Sequence, residues 1–378
     1  METTQDQELQ DLEPFQKHIA DRFVHLSNNN NNNTNTSSES LLSIDWLQKL
    51  LDVYLCCESE FKAVLILRRD LSQFNKPPLD RLIPELLDRA VKALDICNAI
   101  THGIDSICQW QKLAEIAVAA LEQKPLGEGQ IRRAKKALSS LLKLMTMDNK
   151  EGHSNNSNSK ATERAWSFGR RGGSGGSVVR EQSTPKLGSV SLVVSKNWSA
   201  ARQIQLMSSN LVLPRGGESS GLGLPVHIMS TVLVFVMWAL ITSIPCQDRA
   251  GLATQFPIPR QLLSAGPMIG LQERIAEEWK KKEKKGSAGL LDEMQRLEKY
   301  SQMFIELADS IQYPMEKEQI EEVGLVVAEL KETITIMEEG LVPLQRQIRE
   351  VFHRIVRSRT EVLELLGQPG KPSSLPGW

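Results

Sequence analysis

Residues 226–244 read VHIMSTVLVFVMWALITSI, nineteen positions without Asp, Glu, Lys or Arg and with His227 as the one ionisable side chain. As a helix this run spans about 28 Å at roughly 1.5 Å per residue, against a bilayer hydrocarbon core of about 30 Å. Ser230, Thr231, Thr242 and Ser243 dilute it, and Pro245 follows at once. Positions 232–241 are apolar on every side, so such a helix has no face to give to water. Two surroundings satisfy it: the interior of a bilayer, towards which the all-round apolar run leans, or the interior of a helical bundle. If it is a membrane segment, Val226, Leu233, Phe235, Trp238 and Ile244 mark its length.

The flanks bear on orientation. Arg249, Arg260, Arg274 and KKKEKK at Lys280–Lys285 lie downstream, while Arg215 and the more distant Lys196 and Arg202 lie upstream. That bias favours a cytoplasmic C-terminal side. A single span would then carry the N-terminal part, with Cys56, Cys57, Cys97 and Cys108, across the membrane. Peripheral or re-entrant attachment avoids this, and so does a bundle built around the segment.

Further out, apolar residues recur at helical spacing. Leu47, Leu50, Leu51, Tyr54, Leu55, Phe61, Val64 and Leu65 form one stripe. A second helix starts after Pro77-Pro78, with Pro84 in its first turn, and runs through Leu86, Leu87, Ala90, Leu94, Cys97 and Ile100. Gly103 reads as a break, after which Ile104, Ile107, Leu113, Ile116, Ala117 and Leu121 continue. A shorter helix follows from Ile131 to Met145. Towards the C-terminus, Leu290 to Ile311 gives a stripe ended at Pro314, and Glu316–Glu339 gives its hairpin partner through Ile320, Val323, Val327, Leu330, Ile334 and Met337. A last helix after Pro343 turns Leu344, Ile348, Val351, Phe352, Ile355 and Val356 inward and stops at Gly367.

The expected fold is therefore all-α: an elongated multi-helix bundle of amphipathic helices with long disordered linkers and one very hydrophobic helix, buried or membrane-inserted. Four parts follow: an N-terminal helical part, 1–147, with the Asn28–Asn33 run as a loop; a Ser, Gly and Asn-rich linker, 148–224; the hydrophobic helix, 225–247; and a C-terminal helical part, 248–378. The two helical parts can form one bundle.

The 378 residues carry 45 basic and 46 acidic side chains, a net charge of −1, so no whole-chain field draws the protein to nucleic acid. Five cysteines without repeated spacing do not read as a disulfide framework, which suits a reducing compartment. The acidic start METTQDQELQDLEPF reads against a secretory signal peptide. The expected location is the cytoplasmic side of membranes, single-pass or peripheral, or the cytosol.

Two enzyme signatures are missing: there is no G-x-x-x-x-G-K-[ST] and no H-E-x-x-H. The histidines at 18, 25, 102, 153, 227 and 353 do not pair with cysteines at metal-ligand spacing. No catalytic residue, cofactor or metal is expected. Lys280, Lys281, Lys282, Lys284 and Lys285 suit acidic phospholipid head groups, or form a solvated helix face. Arg346, Arg349, Arg354, Arg357 and Arg359 read as an ion-pairing set beside Glu350 and Glu361. In the linker, Arg164, Trp166, Ser167, Phe168 and Arg170 form a docking motif, a phosphorylation site at Ser167, or an accidental cluster.

Several blocks carry a resemblance: SIDWLQKLLDVYLCCESEFKAVL, PPLDRLIPELLDRAVKALDICNAI, QWQKLAEIAVAALEQKPLGEGQIRRAKKALSSL, RAWSFGR, MSTVLVFVMWALITSIPCQDR and REVFHRIVRSRTEVLELLG. They resemble the plant BYPASS-related, ROH-type proteins over nearly the whole chain. The resemblance implies a helical protein without known activity that binds an Exo-seventy-type subunit of the exocyst. It also implies restraint of polarised secretion, such as seed-coat mucilage or cell-wall deposition. In the BYPASS branch it implies control of a root-derived mobile growth signal. Relatives commonly begin with a short segment rich in arginine and apolar residues ahead of the part matching Leu9 to Phe23, and this chain starts without it.

Overall fold

The computed structural model describes residues 2–28, 40–67, 76–147, 198–212, 221–246, 248–249, 251–252, 255–283 and 289–367. Among them are nine helices and no strand: α1 (Glu2–Asn28), α2 (Ile44–Leu67), α3 (Leu79–Leu121), α4 (Glu128–Met147), α5 (Ala200–Ser208), α6 (Gly223–Ser243), α7 (Ala265–Glu283), α8 (Asp292–Ser310) and α9 (Lys317–Gly367). The fold is all-α as expected. It is elongated along α9, which at 51 residues runs about 76 Å at 1.5 Å per residue.

The apolar run is the centre of the molecule. Helix α6 packs on α1, α2, α3, α5 and α7, and every residue from Pro225 to Ser243 is buried. An amphipathic helix needs one neighbour, whereas one that is apolar all round needs a full ring of them. Phe23 of α1 meets Phe235 edge-on at 5.4 Å, Phe235 leads to Trp238 at 6.0 Å, and Trp238 meets Phe256 at 6.1 Å. Burying each such ring contributes roughly 1.5–3 kcal/mol. Helices α2 and α3 both pack on α6, and α9 runs alongside α2 and α3 while also pairing with α8. Helix α4 bridges α3 and α8. The two helical parts thus share one core.

The exit of α6 is closed by protein. A helix leaves its last carbonyls without intrahelical donors. Here the Leu290 and Leu291 N–H groups donate to the Thr242 and Ser243 carbonyls at 3.0 and 3.1 Å, and Arg249 Nη1 donates to the Ile241 carbonyl at 3.4 Å. Gly289 lets that crossing strand come close, since a Cβ there would strike the Ser243 carbonyl oxygen.

Several expectations need correction. Gly103 does not break the helix: α3 runs continuously from Leu79 to Leu121. Its role is a close approach, because a Cβ there would lie 2.8 Å from Ile244 Cγ2 and closer still to the Pro245 carbonyl oxygen. Pro84 sits in the second turn of α3 rather than the first. Pro343 likewise does not divide α9. Its missing N–H leaves the Glu339 carbonyl without its ladder donor, and one residue on Gln48 Nε2 of α2 donates to the Gly340 carbonyl at 3.0 Å. The stretch 148–224, read as linker throughout, contains α5, held because Ser199 Oγ accepts from the Arg202 N–H at 3.2 Å and the Ala201 N–H donates to Asp248. Ile320 and Val356, expected inward, face solvent.

Candidate functional site

Helix α7 ends in the first basic pair. Met268, Leu271, Ile275 and Trp279 turn inward at three- and four-residue steps, leaving Lys280 and Lys281 exposed at the C-terminal end, where a helix dipole favours positive charge. Lys281 bonds Glu278 at 2.7 Å, which raises its pKa. Lys282 lies within α7, but its side chain is outside the described residues, as are Lys284 and Lys285. Arg164, Trp166, Ser167, Phe168 and Arg170 also lie outside them. Val226, Leu233, Phe235, Trp238 and Ile244 are all buried inside the bundle.

Arg274, Glu277 and Glu278 of α7 face the turn Ser40–Leu42 and the start of α8 across a groove of about 330 Å³. Beside it Leu42 takes φ +66°, and its carbonyl accepts from the Asp292 N–H at 3.2 Å. Next along α8, buried Glu293 accepts from the Ile44 N–H at 3.0 Å, so a side chain of α8 caps α2. Its second carboxylate oxygen has no partner, and burial pushes its pKa up to about 7.

Helix α9 presents the second basic face. Arg354 reaches buried Glu58 of α2 at 3.2 Å and Glu350 of its own helix at 3.4 Å. This is the intramolecular pairing expected of the arginine set, but Glu361 pairs instead with Lys62 of α2 at 2.6 Å. Arg346, Arg349 and Arg357 are exposed and make no ion pair among the described residues.

Two buried polar groups lie where α5 and α6 meet α3. Buried Arg89 of α3 donates to the Met207 and Ser209 carbonyls at 2.9 and 3.3 Å, closing the C-terminal end of α5. His227 at the start of α6 is held down to about 4, first by burial and then by the Arg89 charge, and its Nε2 has no partner. It is therefore neutral at pH 7.

Among the described residues no three His, Cys, Asp or Glu side chains assemble as metal ligands. Burial pushes Cys57 and Cys97 up to about 12 and Cys246 up to about 11, so these thiols stay protonated. Sequence reasoning missed Glu293, whose partner lies 249 residues away. It also missed the α1 face of Phe15, Ile19, Phe23 and Leu26, although four- and three-residue spacing marked it.

An apolar helix ringed by amphipathic ones, with charged outer faces, defines an all-α bundle protein. The chain belongs to the ROH1-like family, whose model, Protein ROH1-like, matches residues 1–366. Protein ROH1A of Arabidopsis thaliana is 52% identical over 390 residues, covering 99% of this chain and 94% of that protein. Protein ROH1D of the same plant is 42% identical over 369 residues, covering 95% and 89%. Neither name carries an enzyme activity. No solved structure matches the chain.

Proposed function

We propose that this protein is a non-enzymatic plant regulator that binds an Exo-seventy-type exocyst subunit and restrains polarised secretion, such as seed-coat mucilage or cell-wall deposition. The observation that carries this reading is membership of the ROH1-like family across 366 of 378 residues. In support, buried Glu293 and Arg89 cap helix ends and Glu58 pairs with Arg354 inside the bundle, while Arg346 and Arg349 stay exposed on α9.

In this reading α6 is the core helix and membrane attachment is peripheral. Lys280 and Lys281 meet acidic phospholipids on the cytoplasmic side, each basic residue near such a surface contributing about 1 kcal/mol. Phosphate on Ser167 would place roughly −1.5 to −2 charges beside Arg164 and Arg170 and so tune docking. Co-precipitation from plant extract tests the partner: recovery of an Exo-seventy-type subunit with the full chain is expected, and no association would overturn the reading.

The length and apolar character of α6 favour a second reading, a membrane-anchored signalling component that controls a root-derived mobile growth signal. Fractionation separates the two. Release from membranes by high salt is expected for peripheral attachment, and retention through alkaline carbonate would favour the anchored form.

A further inference from the structure

The outward edge of α9 carries a repeat whose polar contacts stay within its own helix: among the described residues Thr360 bonds the Val356 carbonyl and the His353 ring meets Phe352. Val342, Arg349, Val356 and Leu363 recur at seven-residue steps, with Arg346, His353 and Thr360 between them at four-residue offsets. All seven are exposed, and the three apolar ones are 60%, 39% and 41% open to solvent. Alternating steps of four and three residues make the seam of a two-helix coiled coil. From Val342 to Leu363 it runs about 32 Å at 1.5 Å per residue.

Neighbouring contacts fix this edge outward. Gln345 bonds Asp105 of α3 at 3.1 Å on one flank, and Gln347 bonds Asp52 of α2 at 2.7 Å on the other. The nearby acids Glu350 and Glu361 are taken by Arg354 and Lys62. No acid occupies the seam itself, while Glu339 and Glu364 close its two ends.

We propose that this edge of α9 docks an acidic amphipathic helix of a partner protein. Apolar side chains of that helix pack on Val342, Val356 and Leu363, and its carboxylates pair with Arg346 and Arg349. Guanidinium forks match carboxylates in a two-bond geometry that a point charge does not offer. A second copy of this chain brings no acid to the seam, so the arginines would stay uncompensated. A bilayer contacting Lys280 and Lys281 engages α7, which packs on α1 and α6, whereas α9 packs on α2, α3 and α8. The proposal does not depend on which protein supplies the helix.

The test titrates the purified full chain with a fluorescent synthetic helix of about four heptads, leucine at its seam and glutamate facing the arginines. A scrambled peptide of the same composition and phosphatidylserine vesicles are the comparisons. Saturable binding of the seam helix is expected, weakened at least about tenfold by Arg346→Glu with Arg349→Glu and by Leu363→Ser, and weakened by salt. Thermal melting identical to wild type shows that these surface variants fold; should the charge reversal disturb the melt, Arg349→Gln replaces it. Equal affinity for the scrambled peptide, binding to vesicles alone, no binding, or indifference to the arginine substitutions would each overturn the proposal.

Discussion

The Glu293 carboxylate accepts the Ile44 N–H at 3.0 Å, joining the first residue of α2 to the second of α8 across 249 positions of sequence. One oxygen of this carboxylate caps a helix, and the other is buried without a partner.

That arrangement sets a pH dependence. Burial raises Glu293 from 4.5 to about 7, so between those values the folded protein holds a proton that the unfolded chain has released. Stability from this group is full below pH 4.5 and declines as pH rises through 7, by on the order of 3 kcal/mol. His227 runs the other way. Held down to about 4 from 6.5, it lowers stability as pH falls through that interval. Urea unfolding of Glu293→Gln at pH 5 and pH 8 should show the variant gaining on wild type at the higher pH. An unchanged difference between the two pH values would mean that Glu293 is not desolvated.

Gly103→Ala should destabilise the protein by about 3 kcal/mol or more, because backbone on one side and Ile244 on the other cannot both withdraw. Gly270→Ala is the control. A Cβ there meets nothing within 4 Å, and loss of a mid-helix glycine should stabilise by roughly 0.5–1 kcal/mol. Paired denaturation midpoints decide whether the α3–α6 approach is as close as described.

Val236→Arg should abolish soluble folded protein, since Val236 is 0% exposed at the middle of α6, where its helical neighbours are buried too. A soluble, monomeric variant with wild-type helicity by circular dichroism would place α6 outside the core.

Removing Arg354 should strand buried Glu58, whose pKa burial already holds above the ordinary carboxylate value, destabilising by about 3–5 kcal/mol. Its guanidinium is 28% exposed and the Glu58 side chain only 3%, so most of that loss reflects the stranded acid. Arg354→Met combined with Glu58→Gln should therefore recover much of it. A double-mutant cycle showing simple additivity would mean that the pair is uncoupled.

How far the sequence went depended on whether a signal was local. Leu47, Leu50, Leu51 and Tyr54 marked α2 through spacing alone, and all four are buried. Gly103 and Pro343 misled because each has a local meaning, helix breaker, while both sit inside helices packed on neighbours: the Pro245 backbone lies against Gly103, and Gln48 bonds the turn before Pro343. The surroundings of α6 were not legible, because an all-round apolar helix fits lipid and protein core alike. On the candidate faces, Lys280 and Lys281 were visible as a run. The α9 seam was not, since spacing counted Val356 inward and only the packing of α2 and α3 turns it out.

The closure of α6 by Leu290 and Leu291 has a consequence for biogenesis. Chains emerge N-terminus first at about 5–20 residues per second, so the 48 positions from Ser243 to Leu291 take about 2–10 s to make. Throughout that interval the apolar helix has been made but its Thr242 and Ser243 carbonyls still lack their native donors, and to any factor that scans nascent chains it looks like a membrane anchor. Folding of this protein is in that sense a race between capture and capping, decided by a three-residue segment that arrives late.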